Sequence, residues 1–326
     1  MSQSPSVGAA PTTVSVLVPT YRRPTEVQRC LRGLAGQTRR PDEVLVVVQP
    51  EDAPSRAVLA QPWEVPVREV LVDRPGLVAA RNAGIAAATS VIVAFIDDDA
   101  VAASDWLERM LVYYADATIG AVGGRDVMYH GGTLAQEGRR RQVGVLTWYG
   151  RFVSMHPRGV GPAREVDFVK GVNMSFDRAR NPDLRVDENL RGRGAQVHEE
   201  TSLCLQLRDR GYRVVYDPEI LVDHYEADRG DDDPRSPQVL RARRDRHHNQ
   251  TYVVARHYPV ARLVVHVLYA VVVGMADAPG LLLTLRNIVR TRTLSGHLLP
   301  LVANVQGRGA GILSALRWRR EHRASR

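Results

Sequence analysis

The sequence predicts an α/β protein: a mostly parallel sheet with helices on both faces, followed by a helical C-terminal region. Three observations carry that prediction. Continuous apolar runs at Val14–Pro19, Asp42–Val48, Val67–Asp73 and Val91–Ile96 read as strands buried on both faces. Segments with helical spacing separate these runs, the alternation from which parallel sheets are built. The chain has 326 residues, 44% hydrophobic and 25% charged, which is enough for one large core.

Each element has its own signal. The first strand, "VSVLVP", is stopped by Pro19. "RPTEVQRCLRGLAGQ" then places Val27, Leu31 and Leu34 on one helical face, with Pro24 near the start. "DEVLVVV" and "VREVLVD" are the second and third strands. The alanine-rich "GLVAARNAGIAAAT" is helical, and "VIVAFI" is the fourth strand. A helix near Ser104–Ala115 and a strand at "IGAVGG" follow. Arg125–Glu165 is rich in glycine, arginine and aromatics without clean periodicity, and reads as a binding loop or lid. "VDFVKGVNMSFDR" predicts a strand pair or a strand and turn. "EETSLCLQLRDRGYRVVYDPEILVDHY" predicts a helix closed by Gly211 and two further strands. Beyond the charged turn Glu226–Pro237 the chain is helical to its end.

The basic character is local. Arg286–Arg326 holds nine arginines against one acid, Glu321, and therefore carries the whole formal charge of +8. Such an end suits an anionic partner, lipid or nucleic acid, but its arginines lack interleaved stacking aromatics apart from Trp318. Leu263–Ala276 is apolar for 14 residues, short of the roughly 20 that a spanning helix needs. The segments "GLLLTLRNIVRTRTL" and "GILSALRWRREHR" are apolar on one side and arginine-rich on the other. They suit either the plane of a bilayer interface or packing on the sheet. The first residues, "MSQSPSVGAAPTT", have no basic and apolar leader pattern and read as a disordered tail. Cys30 and Cys204 lie in helical segments without metal-ligand spacing and read as small apolar filler.

The fourth strand ends in Asp97, Asp98 and Asp99. Carboxylates this close repel unless one is protonated or a cation lies between them. Oxygen ligands at the carboxyl end of a parallel strand suit Mg²⁺ or Mn²⁺ shared with substrate phosphates. A solvated acidic turn is the alternative. No P-loop and no GxGxxG turn is present.

These motifs together resemble the inverting glycosyltransferases of family 2, which have the nucleotide-diphosphosugar-binding GT-A fold. "VSVLVPTYRRPTEVQRCLRGLAGQTRRPDEVLVVV" resembles the family's opening strand, Pro-Thr-Tyr turn, helix and second strand. "GLVAARNAGIAAATSVIVAFIDDD" resembles its Arg-Asn-x-Gly helix and DxD strand. "FVKGVNMSFDR" is similar to its sugar and acceptor segment, and "EETSLCLQLRDRG" to the acidic motif that supplies the base. The resemblance covers Val14–Tyr225 and implies a catalytic domain over 14–228, after a tail of 1–13 and before a basic helical region over 235–326.

It also implies roles. Pro19, Thr20, Tyr21, Gln49, Arg81, Asn82, Asp97 and Asp98 would bind the nucleotide and donor, and Asp97, Asp99 and His224 would hold Mn²⁺ or Mg²⁺. Lys170, Gly171, Asn173 and Glu199 would face the sugar or acceptor, the small residues allowing close approach. Glu200 would be the base, its ionised form favoured by the helix N-terminus. Gln49 stands where the family often has an acid for the nucleobase, which leaves the base identity open. The implied partners are a nucleotide-diphosphosugar and a saccharide or lipid-linked acceptor, with an anionic membrane surface at the basic end and no nucleic acid. The implied location is cytoplasmic, peripheral at the inner face of the cell membrane. Two alternatives stay open: a sugar-phosphate nucleotidyltransferase, and an inactive GT-A-like protein that docks to membrane.

Overall fold

The computed structural model describes residues 12–135, 138–227, 240–276 and 278–323. Most of the expected tail and of the charged turn after Tyr225 lies outside these residues. Four parallel strands form one half of the sheet: β1 (Val14–Pro19), β2 (Glu43–Val48), β3 (Val67–Leu71) and β4 (Ile92–Phe95), in the spatial order β4-β1-β2-β3. The valines and leucines of β1, β2 and β4 are buried on both faces because helices cover both: α1 (Pro24–Ala35) on one, α3 (Leu77–Ala87) on the other; the edge strand β3 is partly open, with Leu71 half exposed. Between β2 and β3 stands α2 (Ala53–Leu59), which the sequence reading did not contain. Its start is capped by Asp52, whose side chain accepts the Ser55 N–H at 3.2 Å, and a proline follows at the second helical position.

After β4 the chain crosses β5 (Ala100–Ala102) and α4 (Trp106–Val112) to the long strand β6 (Ile119–His130). The segment Arg125–His130 is therefore strand and not loop. A small hairpin, Val145–Leu146 against Phe152–Val153, fills part of the remaining excursion. Strand β7 (Met174–Asp177) is single, preceded by a turn, and lies antiparallel between β4 and β6. Helix α5 (Glu199–Asp209) then leads to β8 (Arg213–Tyr225), which runs parallel to β6. Asp217 pairs with Gly124 and Leu221 with Arg125, so three residues of β8 bulge out between them. Beyond that irregularity β8 also pairs with β5, bringing His224 opposite Ala100.

The C-terminal helices are α6 (Leu240–His257), α7 (Val260–Leu268), α8 (Leu281–Thr291) and α9 (Ser295–Arg323). Gly307 and Gly311 let α9 approach α6 closely: a Cβ at either would come within 2.4 to 2.5 Å of the carbonyl oxygens of Arg244 and His248. Helix α6 also holds the segment that leads into α5. Asn249 donates to the carbonyls of Arg191 and Val197, and Tyr252 and Arg256 both bind Asp187. No helix among the described residues is long and apolar enough to cross a membrane.

Candidate active site

The three aspartates at the end of β4 have three different surroundings. Asp97 is half-buried and meets Nη2 of Arg81 at 3.4 Å. Asp98 turns inward, accepting from Thr20 Oγ1 at 2.8 Å and from Arg23 at 3.0 Å. Burial raises its pKa to about 7, against the pull of Arg23 and with a further push from Asp99. Asp98 therefore braces the Pro19–Thr20–Tyr21 turn. Asp99 is buried beside Arg23, the Ala227 N–H and His224. Burial opposes its ionisation, but His224, Ala227 and Arg23 together bring its pKa down to about 2. Repulsion within the cluster is thus partly offset by Arg81, Arg23 and His224. Arg23 was absent from the sequence reading, although it stands in the turn directly after β1.

Asp97, Asp99 and His224 each offer one ligand atom, all within 4.8 Å of one another. Nε2 of His224 lies 3.1 Å from Asp99 Oδ1, yet both ring nitrogens are buried without a hydrogen-bond partner. Against its burial, Asp126 and Asp99 raise the His224 pKa to about 9, so the ring is itself a cationic partner of Asp99; two carboxylates with one ring nitrogen are equally a donor set that suits a divalent cation such as Mn²⁺.

Helix α3 supplies Arg81 and Asn82, which do different things. Arg81 is buried, forms a short ion pair with Glu199 and reaches Asp97, with its guanidinium carbon 4.9 Å from the Phe95 ring centre. Asn82 is tied to the Val186 backbone: its amide donates to the Val186 carbonyl at 2.9 Å and accepts the Val186 N–H at 2.8 Å. The expected sugar-facing set is also redistributed. Asn173 is fully buried, and its amide is used by Trp106 Nε1, the Arg125 carbonyl and the Ile220 carbonyl. Gly171 does allow close approach, but of Arg81: a Cβ there would sit 2.2 Å from Nη1. Lys170 pairs with the buried Asp126. Gln49 lies nearly buried at the carboxyl end of β2, and Tyr21 is exposed.

Glu199 and Glu200 open α5 after His198, a non-glycine residue at φ 72°. Successive residues of the helix point about 100° apart, so the two carboxylates face different ways. Glu199 goes into the protein against Arg81; burial and Glu200 hold its pKa up at about 8 despite the arginine. Glu200 stays half-buried, and desolvation raises its pKa, with Arg81 and Lys170 pulling it back. Burial, and not the helix end, dominates its titration, which makes it a stronger base than an ordinary glutamate.

Residues 15–174 match the family model described as glycosyl transferase family 2. Similar proteins include glycosyltransferase AglE of Haloferax volcanii, 27% identical over 218 residues, which cover 65% of this chain and 66% of that protein. The glucosyl-dolichyl phosphate glucuronosyltransferase of the same organism is 27% identical over 222 residues, 65% of this chain and 68% of that protein. Among solved structures, the mannosyltransferase PcManGT from Pyrobaculum calidifontis, in complex with GDP-Man and Mn²⁺, gives a TM-score of 0.55 at 17% identity, over 95% of this chain and 88% of its own. S. aureus TarS 1–349 with UDP-GlcNAc gives 0.54 at 14% identity, over 95% and 92%. The fold is that of the GT-A glycosyltransferases, and it is residues 15–174 of the chain that match glycosyl transferase family 2.

Proposed function

We propose that the protein is a metal-dependent inverting glycosyltransferase that moves a sugar from a nucleotide-diphosphosugar to an acceptor hydroxyl. The observation that carries this reading is the adjacency of two acidic devices. Asp97, Asp99 and His224 form a cation-sized cluster, and Arg81 joins that cluster to the head of the helix that presents Glu200. Glu200 takes the proton of the acceptor hydroxyl as its oxygen attacks the anomeric carbon, in line with the departing nucleoside diphosphate. Asp97, Asp99 and His224 would hold Mn²⁺ or Mg²⁺, which neutralises charge growing on the diphosphate. Lys170, already paired with Asp126, lies on the sugar side, and the turn Pro19–Tyr21 with Gln49 faces the nucleotide.

A nucleotidyltransferase needs a glycine-rich loop for an incoming triphosphate. The turn after β1 has none, and its arginine, Arg23, is already engaged by Asp98 and Asp99. An inactive docking protein would have no use for a desolvated Glu200. Replacing Glu200 by Gln tests the assignment: transfer falls by about 10²-fold or more, while donor binding in calorimetry is retained. Transfer at the wild-type rate in E200Q would refute the role of the base.

The acceptor side points to lipid. One relative is named for a dolichyl phosphate substrate. In this chain Val260, Val264 and Leu268 of α7 are 50 to 61% exposed at one-turn spacing, and Leu281, Leu282, Leu285 and Val289 of α8 are 53 to 69% exposed. Arg286 and Arg290 flank the second stripe, exposed as well. Apolar stripes edged with arginine match the interface of an anionic bilayer. Docking there, with 14–228 as the catalytic unit and 235–326 as the lipid-facing one, would present a lipid-linked or cell-envelope saccharide from the inner face of the membrane.

A further inference from the structure

We propose that Asp126 is a positioning residue for the cation centre, acting through His224; the inference rests on the metal-dependent reading above. Asp126 lies on β6, fully buried, two residues from the position where β8 sets His224 opposite Met128. The imidazole stands between two carboxylates: Nε2 is 3.1 Å from Asp99 Oδ1, and Nδ1 is 3.9 Å from Asp126 Oδ2. Neither nitrogen makes a hydrogen bond, and Oδ1 of Asp126 is buried without one. The other oxygen receives Lys170.

A histidine that ligates a cation through one nitrogen carries its proton on the other, and that proton needs an acceptor to fix the tautomer and the ring plane. Asp126 is the carboxylate on that side. A small rotation of the ring closes 3.9 Å to hydrogen-bond length, satisfies Nδ1, and leaves Nε2 facing Asp97 and Asp99. Lys170 anchors Asp126 from the open side, so the carboxylate does not follow the ring. The sequence gives no hint of this, because Asp126 and His224 are 98 positions apart and meet only through the pairing of β6 with β8.

The test is Mn²⁺ affinity, measured by calorimetry with nucleoside diphosphate present, in the wild type, D126N, H224A and D126N/H224A. The visible spectrum of the Co²⁺-loaded protein reports nitrogen ligation. D126N should weaken Mn²⁺ by about 10- to 100-fold and change the Co²⁺ spectrum, while in the H224A background the same substitution adds nothing. An equal loss in both backgrounds, or unchanged affinity in folded D126N, overturns the proposal. Should D126N fail to fold, proton NMR of the Co²⁺-loaded wild type serves instead. A slowly exchanging, hyperfine-shifted Nδ1 proton supports Asp126 as its acceptor; a fast-exchanging proton or ligation through Nδ1 sinks it. A wild type that binds no Mn²⁺ would instead remove the metal-dependent reading itself.

Discussion

Arg81 is the buried joint between the two halves of the site, and removing its charge is the most informative single change. Its guanidinium pairs with Glu199, reaches Asp97 at 3.4 Å, and lies 4.9 Å from the Phe95 ring centre. In R81M the Glu199 carboxylate stays buried beside Glu200 with no partner. Breaking a buried pair from one side costs about 3–5 kcal/mol, which here includes the proton that Glu199, already held up at about 8, takes up when Arg81 is gone. At roughly 2–4 °C per kcal/mol for a large domain, the melting temperature should drop by about 6–20 °C. The assay is a thermal melt at pH 7.5 in EDTA on R81M, E199Q and R81M/E199Q. The double variant should recover part of the loss, since E199Q removes the carboxyl that Arg81 served, and the coupling energy should exceed about 1 kcal/mol. R81K should fall between, as one ammonium cannot replace a fork that reaches two carboxylates. An R81M melt within 1 °C of the wild type, or strictly additive losses in the cycle, would refute the argument.

Three further outcomes follow from other parts of the molecule. N173A strands Trp106 Nε1 and two buried carbonyls, so it should cost about 2–4 kcal/mol in a urea melt with donor KM unchanged; a KM effect without a stability effect would restore a sugar-facing role. Burial holds His247 and His266 down at about 3, and His156 and His248 at about 4, against an unfolded value near 6.5. The native state refuses protons that the unfolded chain accepts, so stability is complete above pH 6.5 and is lost as pH falls toward 4. By pH 5.5 each group costs about 1.4 kcal/mol, while Asp98 and Glu199, raised to about 7 and about 8, gain stability over the same fall. The histidine part is read as the difference in urea midpoint between wild type and H247Q, and a difference that does not change between pH 7.5 and 5.5 would contradict this. L282E/L285E should lower co-sedimentation with anionic vesicles at least about tenfold while leaving the melting temperature within about 2 °C. Unchanged sedimentation, or a wild-type dimer abolished by the same change, would show that another copy of the chain covers this face.

Local pattern carried the strands, the helices and the acidic motifs, because a doubly covered parallel strand is a continuous apolar run and a strand-end cluster of aspartates is visible as such. What was not legible is direction. Glu199 and Glu200 are neighbours in sequence, yet about 100° of helical rotation sends one to Arg81 and leaves the other half open. Asn82, Asn173 and Gly171 sit in motifs that invite a ligand role, but the partners that consume them come from distant segments. Arg23 and Asp126 were missed for the same reason: their meaning lies in which carboxylate or ring stands opposite in space. Helix α2 did have a signal, Asp52 followed closely by a proline, that the reading passed over.

The bulge in β8 has a consequence for the cation centre. Pro218–Ile220 separates the part of the strand that belongs to the core from the part that ends at His224. Strand side chains alternate, so the length of this spacer sets which residue meets Asp97 and Asp99. One inserted codon, some distance from the metal, would slide Asp223 into the place of the imidazole and give an all-oxygen ligand set better suited to Mg²⁺. One deletion would offer Tyr225 instead. On the metal-dependent reading, the choice of ion would rest partly on the count of residues in this spacer, and the buried Ile220, whose carbonyl accepts from Asn173, holds that count to the core.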